Sequence, residues 1–152
     1  MTDQTNITTA ARRGWMGLLA RAPEDDLVAL WDKFGAQPGF DWLRSPEVGG
    51  VMVRGRTGGS GAPFNLGEMT VTRCSLALKG GAVGHGYVQG RSKRKAEVAA
   101  LIDAMMQTDA AEEIRTRILT PLSQQMQADK TTRAAKAAAT KVEFFTMVRG
   151  ED

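Results

Sequence analysis

Met69-Thr-Val-Thr-Arg-Cys-Ser-Leu-Ala-Leu-Lys-Gly-Gly-Ala-Val-Gly-His-Gly-Tyr-Val-Gln89 is two β-prone runs separated by a turn. The turn is Lys79-Gly-Gly-Ala82, and paired glycines between two such runs are a hairpin signal. Val83 to Gln89 is then the strand that returns beside Met69 to Leu78. Upstream, Val51 to Arg56 alternates, with Val51 and Val53 on one face and Met52, Arg54 and Arg56 on the other. Phe64 to Leu66 and Met69 to Leu78 make one or two further strands. Six of the thirteen residues from Gly49 to Gly61 are glycine, as are five of the eleven from Gly80 to Gly90. That density marks tight turns, bulges or a close backbone approach. Phe40 to Gln89 therefore predicts a short antiparallel sheet with glycine-rich loops.

Helical patterns flank this sheet. Ala11, Trp15, Leu18, Leu19 and Ala22 recur on one face of a 3.6-residue period. Pro23 ends that helix and opens a second, with Glu24, Asp25 and Asp26 in its first turn, where negative charge suits the helix dipole. Leu27, Leu30, Trp31 and Phe34 form its apolar face, and Gly35 is placed to cap it. The pair predicts an N-terminal helical hairpin with Trp15 and Trp31 in the core. After the sheet, Ser92 caps a helix carrying Val98, Leu101, Ile102, Met105 and Met106. A second C-terminal helix starts near Asp109 and is broken or kinked at Pro121. A third, alanine-rich, is capped by Asp129 and runs from Lys130 to about Lys141. Its stripe of small residues gains little by burying itself and suits close approach to another chain. Val142-Glu-Phe-Phe-Thr-Met-Val148 is apolar and β-prone, which predicts either an added strand or a segment that docks into a partner. The sum is an α+β fold, one domain over residues 1–152.

Composition narrows the class. A chain of 152 residues can bury a core without disulfide or metal staples. Cys74 is the only cysteine, which suits a reducing compartment. Met1 to Thr9 has no apolar stretch resembling a secretory signal, and no run reaches the roughly 20 apolar residues a membrane helix needs. The expected location is the cytoplasm, with no membrane partner. Net charge is +3, but nine basic residues oppose two acidic ones between Arg44 and Lys95. This cationic middle attracts nucleotides, phosphate-like substrates, nucleic acid or an acidic partner.

Two stretches carry the candidate anion chemistry. In Arg54-Gly-Arg-Thr-Gly-Gly-Ser-Gly61, Gly58, Gly59 and Gly61 free backbone amides while Arg54 and Arg56 offer forked donors. No Gly-Lys-Ser/Thr follows, so it is not a nucleotide P-loop, and no βα context makes it a dinucleotide fingerprint. A flexible turn with solvated arginines accounts for it equally. In Gly84-His-Gly-Tyr-Val-Gln-Gly-Arg-Ser-Lys-Arg-Lys95 a strand runs through glycine into a capped helix, whose first amides favour an anion beside Arg91 and Lys93. Cations there oppose the helix dipole, so a compensating anion is expected, either a phosphate or a carboxylate on a partner subunit. His85, the lone histidine, reads as a general base, a phosphate donor or a solvent-facing strand residue. One histidine and one cysteine do not make a zinc site, no nucleophile elbow accompanies them, and Cys74 reads as packed. Glu68 and Glu97 are not marked as an acid–base pair. The reading assigns no catalytic residue, no metal and no cofactor.

Three separated blocks carry a family resemblance: Arg56-Thr-Gly-Gly-Ser-Gly-Ala-Pro-Phe-Asn-Leu-Gly-Glu-Met-Thr-Val-Thr-Arg-Cys74; Gly84-His-Gly-Tyr-Val-Gln-Gly-Arg91 with Ala96-Glu97 and Leu101-Ile-Asp-Ala104; and Val142-Glu-Phe-Phe-Thr-Met-Val-Arg-Gly150. Together with Arg13-Gly-Trp-Met16 they resemble the PhnG subunits of the carbon–phosphorus lyase system over nearly the full length. The resemblance implies a subunit of the alpha-D-ribose 1-methylphosphonate 5-triphosphate synthase, in which a phosphonate displaces adenine from ATP during phosphonate catabolism. It implies obligate PhnI-, PhnH- and PhnJ-like partners, a PhnL-like nucleotide-binding protein in the pathway, and ATP and alkylphosphonate as substrates of the complex. The nucleosidase centre is assigned to the PhnI-like subunit and radical cleavage to the iron–sulfur PhnJ-like one. The present chain is then structural or assists anion binding, and is not active alone. Two alternatives follow from the residues: a basic nucleic-acid-binding module, disfavoured by the scarcity of aromatics for base stacking, and a free-standing nucleotide-handling enzyme using His85.

Overall fold

The computed structural model describes residues 8–56, 61 and 63–150, with side chains for all of these except 56, 63–66 and 142–150. Helices α1 (Thr9–Arg21) and α2 (Glu24–Phe34) come first, followed by strands β1 (Phe40–Arg56), β2 (Pro63–Leu78) and β3 (Val83–Gln89). Helix α3 (Lys93–Met105) follows, then α4 (Ala111–Ile114), which passes through a π-helical turn at Arg115–Leu119 into α5 (Thr120–Gly150). The sheet is antiparallel in the order β1-β2-β3. The α+β fold read from the sequence is the one observed.

The local signals act where expected. Thr8 accepts the Ala11 N–H at 3.0 Å and starts α1. Gly35, at φ 79°, closes α2 by donating its N–H to the Trp31 carbonyl. Gly81, at φ 104°, allows the Lys79–Ala82 turn of the β2–β3 hairpin. Trp15 and Trp31 are both buried. The two N-terminal helices, however, hardly pack on one another: α1 lies on β3 and α3, and α2 on α3 and the π-helical turn.

α3 is the centre of the molecule. Nine of its thirteen residues are buried, on all sides, as expected of a helix enclosed by other elements. One side lies directly on β3. A Cβ added to Gly84 would stand 2.0 Å from the Ala100 carbonyl oxygen, and one added to Gly86 would stand 2.2 Å from that of Ala96. Alternation puts Gly84, Gly86 and Val88 inward and His85, Tyr87 and Gln89 outward. Glycine on the strand thus lets the helix backbone approach, and alanines on the helix make the contact.

Two elements extend beyond this body. β3 pairs with β2 only as far as Val71↔Gln89, while β1 and β2 continue together to Arg56↔Pro63. The distal part is a two-stranded ribbon, with a register shift between Val53 and Arg54. The second extension is α5, in which Leu122 is buried and Met126 half-buried, and every side chain from Gln127 to Lys141 is exposed.

α5 corrects three expectations. Pro121 does not end a helix: the π-helical turn just before it shifts the ladder, with Thr120 donating to the Arg115 carbonyl five residues back. Asp129 lies inside α5 and not at a cap. Residues 142–148 continue the helix and add no strand. Once nucleated, a run rich in Ala, Lys, Arg and Gln without Gly or Pro after Pro121 adds a hydrogen bond per residue, which outweighs the β preference of a few terminal residues.

Gly84→Ala is expected to lower stability by about 2–3 kcal/mol through overpacking against helix backbone. Gly80→Ala, in a turn where nothing stands within 4 Å of the new methyl, should shift it by less than about 0.5 kcal/mol. Urea titration of the two variants checks the contrast.

Candidate functional site

The most constrained polar group was not among the sequence candidates. Asp103, fully buried on α3, accepts from Arg12 Nε at 3.1 Å and Nη2 at 2.8 Å, from Trp15 Nε1 at 2.8 Å, and from the His85 backbone N–H at 2.8 Å. Four donors from two elements, α1 and β3, converge on one carboxylate of a third, α3. The hydrogen bond to Asp103, more than its charge, raises the Arg12 pKa above its ordinary value, against the opposing effect of burial. Gln107 Nε2 donates to the Val83 carbonyl at 2.8 Å, and Arg12 Nη2 reaches the same oxygen at 3.4 Å. With Asp103, these side chains satisfy the Val83 carbonyl and the His85 N–H on the margin of β3 that no strand covers. The available signal was a lone carboxylate inside the apolar run Leu101-Ile-Asp-Ala104, since an aspartate is almost never fully buried without partners.

His85 contributes its backbone to that node and its side chain to the opposite face of the sheet. There the pairing aligns Arg44, Ser75 and His85 in one row, and Glu47, Arg73 and Tyr87 in the next. Directly paired residues project from the same face about 5 Å apart. Arg73 lies 3.9 Å from Glu47, both exposed. Only His85 of these six was singled out from sequence, because the others meet it through pairing and not through spacing.

The first turn of α3 supplies its own anions. Ser92 Oγ accepts the Lys95 N–H at 3.0 Å and donates to the Glu24 carboxylate. Arg94 bonds Glu97 at 2.9 Å and Asp32 at 3.4 Å. Lys95 is buried and donates to the Ala20 carbonyl at 3.0 Å, near the end of α1, where a cation is favoured. Burial pushes its pKa below the usual lysine range, partly offset by Glu24. Carboxylates from α2 of the same chain thus reach this turn, at Ser92 and Arg94. Arg91 and Lys93 remain exposed beside it.

The other candidates are elsewhere. Arg54 is exposed on the ribbon, about 30 Å along β1 from Arg44 by strand rise. Arg56 ends β1, and its side chain lies outside the described residues, as do Gly58 and Gly59 entirely. Gly61 sits in a bend, half-buried. Arg91 follows His85 by six residues, about 20 Å in extended chain. The candidates among the described residues thus fall into separate places, with Arg54 on the ribbon, His85 on the open sheet face, and Arg91 and Lys93 at the α3 start. Among the described residues no three His, Cys, Asp or Glu side chains converge as metal ligands, and no helix is long and apolar enough to cross a membrane.

Cys74 is packed, as its mid-strand position suggested. Its thiol donates to the Ala96 carbonyl at 3.3 Å. Burial pushes its pKa up from 9.0 to about 11, with Glu97 adding and a hydrogen bond to Gly86 opposing.

A family model described as "Phosphonate metabolism protein PhnG" matches residues 10–150. A protein of Rhizobium meliloti (strain 1021), "Alpha-D-ribose 1-methylphosphonate 5-triphosphate synthase subunit PhnG", is 45% identical over 143 residues, which are 94% of this chain and 92% of that protein.

Asp103→Ala is expected to cost about 3–5 kcal/mol, because it strands the Arg12 charge and the Trp15 N–H together; urea unfolding followed by tryptophan fluorescence measures it. For Cys74, both folded and unfolded chains hold the proton below pH 9, and only the unfolded one releases it between 9 and 11. Stability therefore falls across that window, by roughly 3 kcal/mol. The fall should be shallower in Cys74→Ala, and the native thiol should resist alkylation at pH 8.

Proposed function

The chain belongs to the PhnG family of phosphonate metabolism proteins, and on that premise we propose that it is a subunit of an alpha-D-ribose 1-methylphosphonate 5-triphosphate synthase. The 45% identity spanning 92% of the Rhizobium subunit carries this reading. Its partners are PhnI-, PhnH- and PhnJ-like subunits, with a PhnL-like nucleotide-binding protein, and the reaction of the assembly exchanges the adenine of ATP for an alkylphosphonate. The chain acts as one α+β unit in the cytoplasm.

The physical reading supports a contributing subunit over a self-contained enzyme. The polar node at Asp103 is saturated by internal donors and serves to hold α1, α3 and β3 together. The exposed cations are dispersed along the ribbon, the sheet face and the α3 start. Arg54, Arg56 and the glycine-rich loop through Gly61, His85, and Arg91 with Lys93 are three separate offers of donors to anions. Each needs groups from another chain to become a closed site.

Adenine release from ATP and methylphosphonate is the test. The reconstituted assembly should lose this activity when the chain is omitted, and the chain alone should have none. Turnover by the isolated chain, abolished by His85→Ala, would instead establish a free-standing enzyme.

A further inference from the structure

We propose that the trough between α5 and the α1–α2 corner is the docking site for an acidic, amphipathic segment of another subunit; this rests on the subunit reading above. The trough encloses about 680 Å³. Leu18, Pro23 and Met126 supply apolar surface, and Arg21, Lys130 and Arg133 supply positive charge, with Asp129 as the one acidic residue in its lining.

The face of α5 that lines it changes character along its length. Leu122, Met126, Lys130 and Arg133 follow at intervals of four, four and three, so they share one side of the helix. Leu122 is buried and Met126 half-buried, while Lys130 and Arg133 are exposed. The side that seals the core at its base becomes cationic once it leaves the body. Lys141, three turns beyond Lys130, returns to the same side. From Gln127 to Lys141 there are four cations and one carboxylate.

The charge and the length select the occupant. From Gln127 to Lys141 the helix runs about 22 Å with no packed face, and exposed helix of that kind is marginal in water until it docks. A small anion spans only one end of such a stripe. A second copy would set Lys130 and Arg133 against the same cations. Nucleic acid would find no aromatic surface in the trough on which to stack. An acidic segment with an apolar side matches both the floor and the walls, and electrostatic complementarity of this type also speeds encounter.

The test uses Lys130→Glu/Arg133→Glu in the full chain, co-expressed with the remaining synthase subunits. Both positions are exposed, so the urea midpoint should stay at the wild-type value; should it fall, Lys130→Ala/Arg133→Ala replaces the reversal. Association is expected to weaken about tenfold or more, and wild-type association should weaken with added salt. Wild-type chain that assembles while the variant assembles equally well overturns the docking site and leaves the subunit reading intact. Wild-type chain that fails to assemble overturns both. Self-association of the isolated chain, or bound nucleic acid, that disappears in the variant while subunit assembly persists also overturns the proposal.

Discussion

The Asp103 carboxylate is the point at which three elements of the fold are fixed to one another. Arg12 and Trp15 lie three residues apart on α1 and reach it together, which sets both the rotation and the axial position of that helix. The His85 N–H bond sets the height of β3 against α3. A fully buried charge is tolerable only when its bonds are complete, so the arrangement admits little slippage: displacing α1 by one turn would leave the carboxylate without its cation. Apolar contacts at Leu19, Leu27, Ile102 and Ile118 supply burial, but they do not specify position with the same stringency.

Close packing of α3 on β3 makes that node reachable. Gly84 and Gly86 remove the side chains that would hold helix and strand apart, and Ala96 and Ala100 keep the helix side low. The same approach leaves the Cys74 thiol dry and hydrogen-bonded to helix backbone. Two groups on the outer margin of β3, the Val83 carbonyl and the His85 N–H, are satisfied by Arg12, Gln107 and Asp103.

Much of this was legible in the sequence because it depends on near neighbours. The 69–89 hairpin, the Gly35 and Ser92 caps and the burial of Trp15 and Trp31 follow from local pattern. What was not legible depends on partners distant in sequence. The first half of β1 lacks clean alternation because two register shifts interrupt it between Trp42 and Glu47. The charge of the α3 first turn invited an external anion, yet Glu24 and Asp32 are brought to it by the packing of α2. Asp103 and Arg12 are 91 residues apart, and nothing at either position announces the other. The C-terminal segment is β-prone by residue preference, yet the helix already propagating into it carries it on as helix.

The dependence of α1 and α2 on α3 has a consequence for biosynthesis. Both helices leave the ribosome with Trp15 and Trp31 turned toward a surface that does not yet exist, since they scarcely pack on each other. The chain must lengthen by some 90 residues before α3 arrives, roughly five to twenty seconds at ordinary elongation rates. Through that interval the nascent N-terminus is two short amphipathic segments whose helices are marginal until they dock. Completion of the core is therefore timed by the emergence of α3, and the nascent chain is most exposed to chaperones and proteases in the seconds before it.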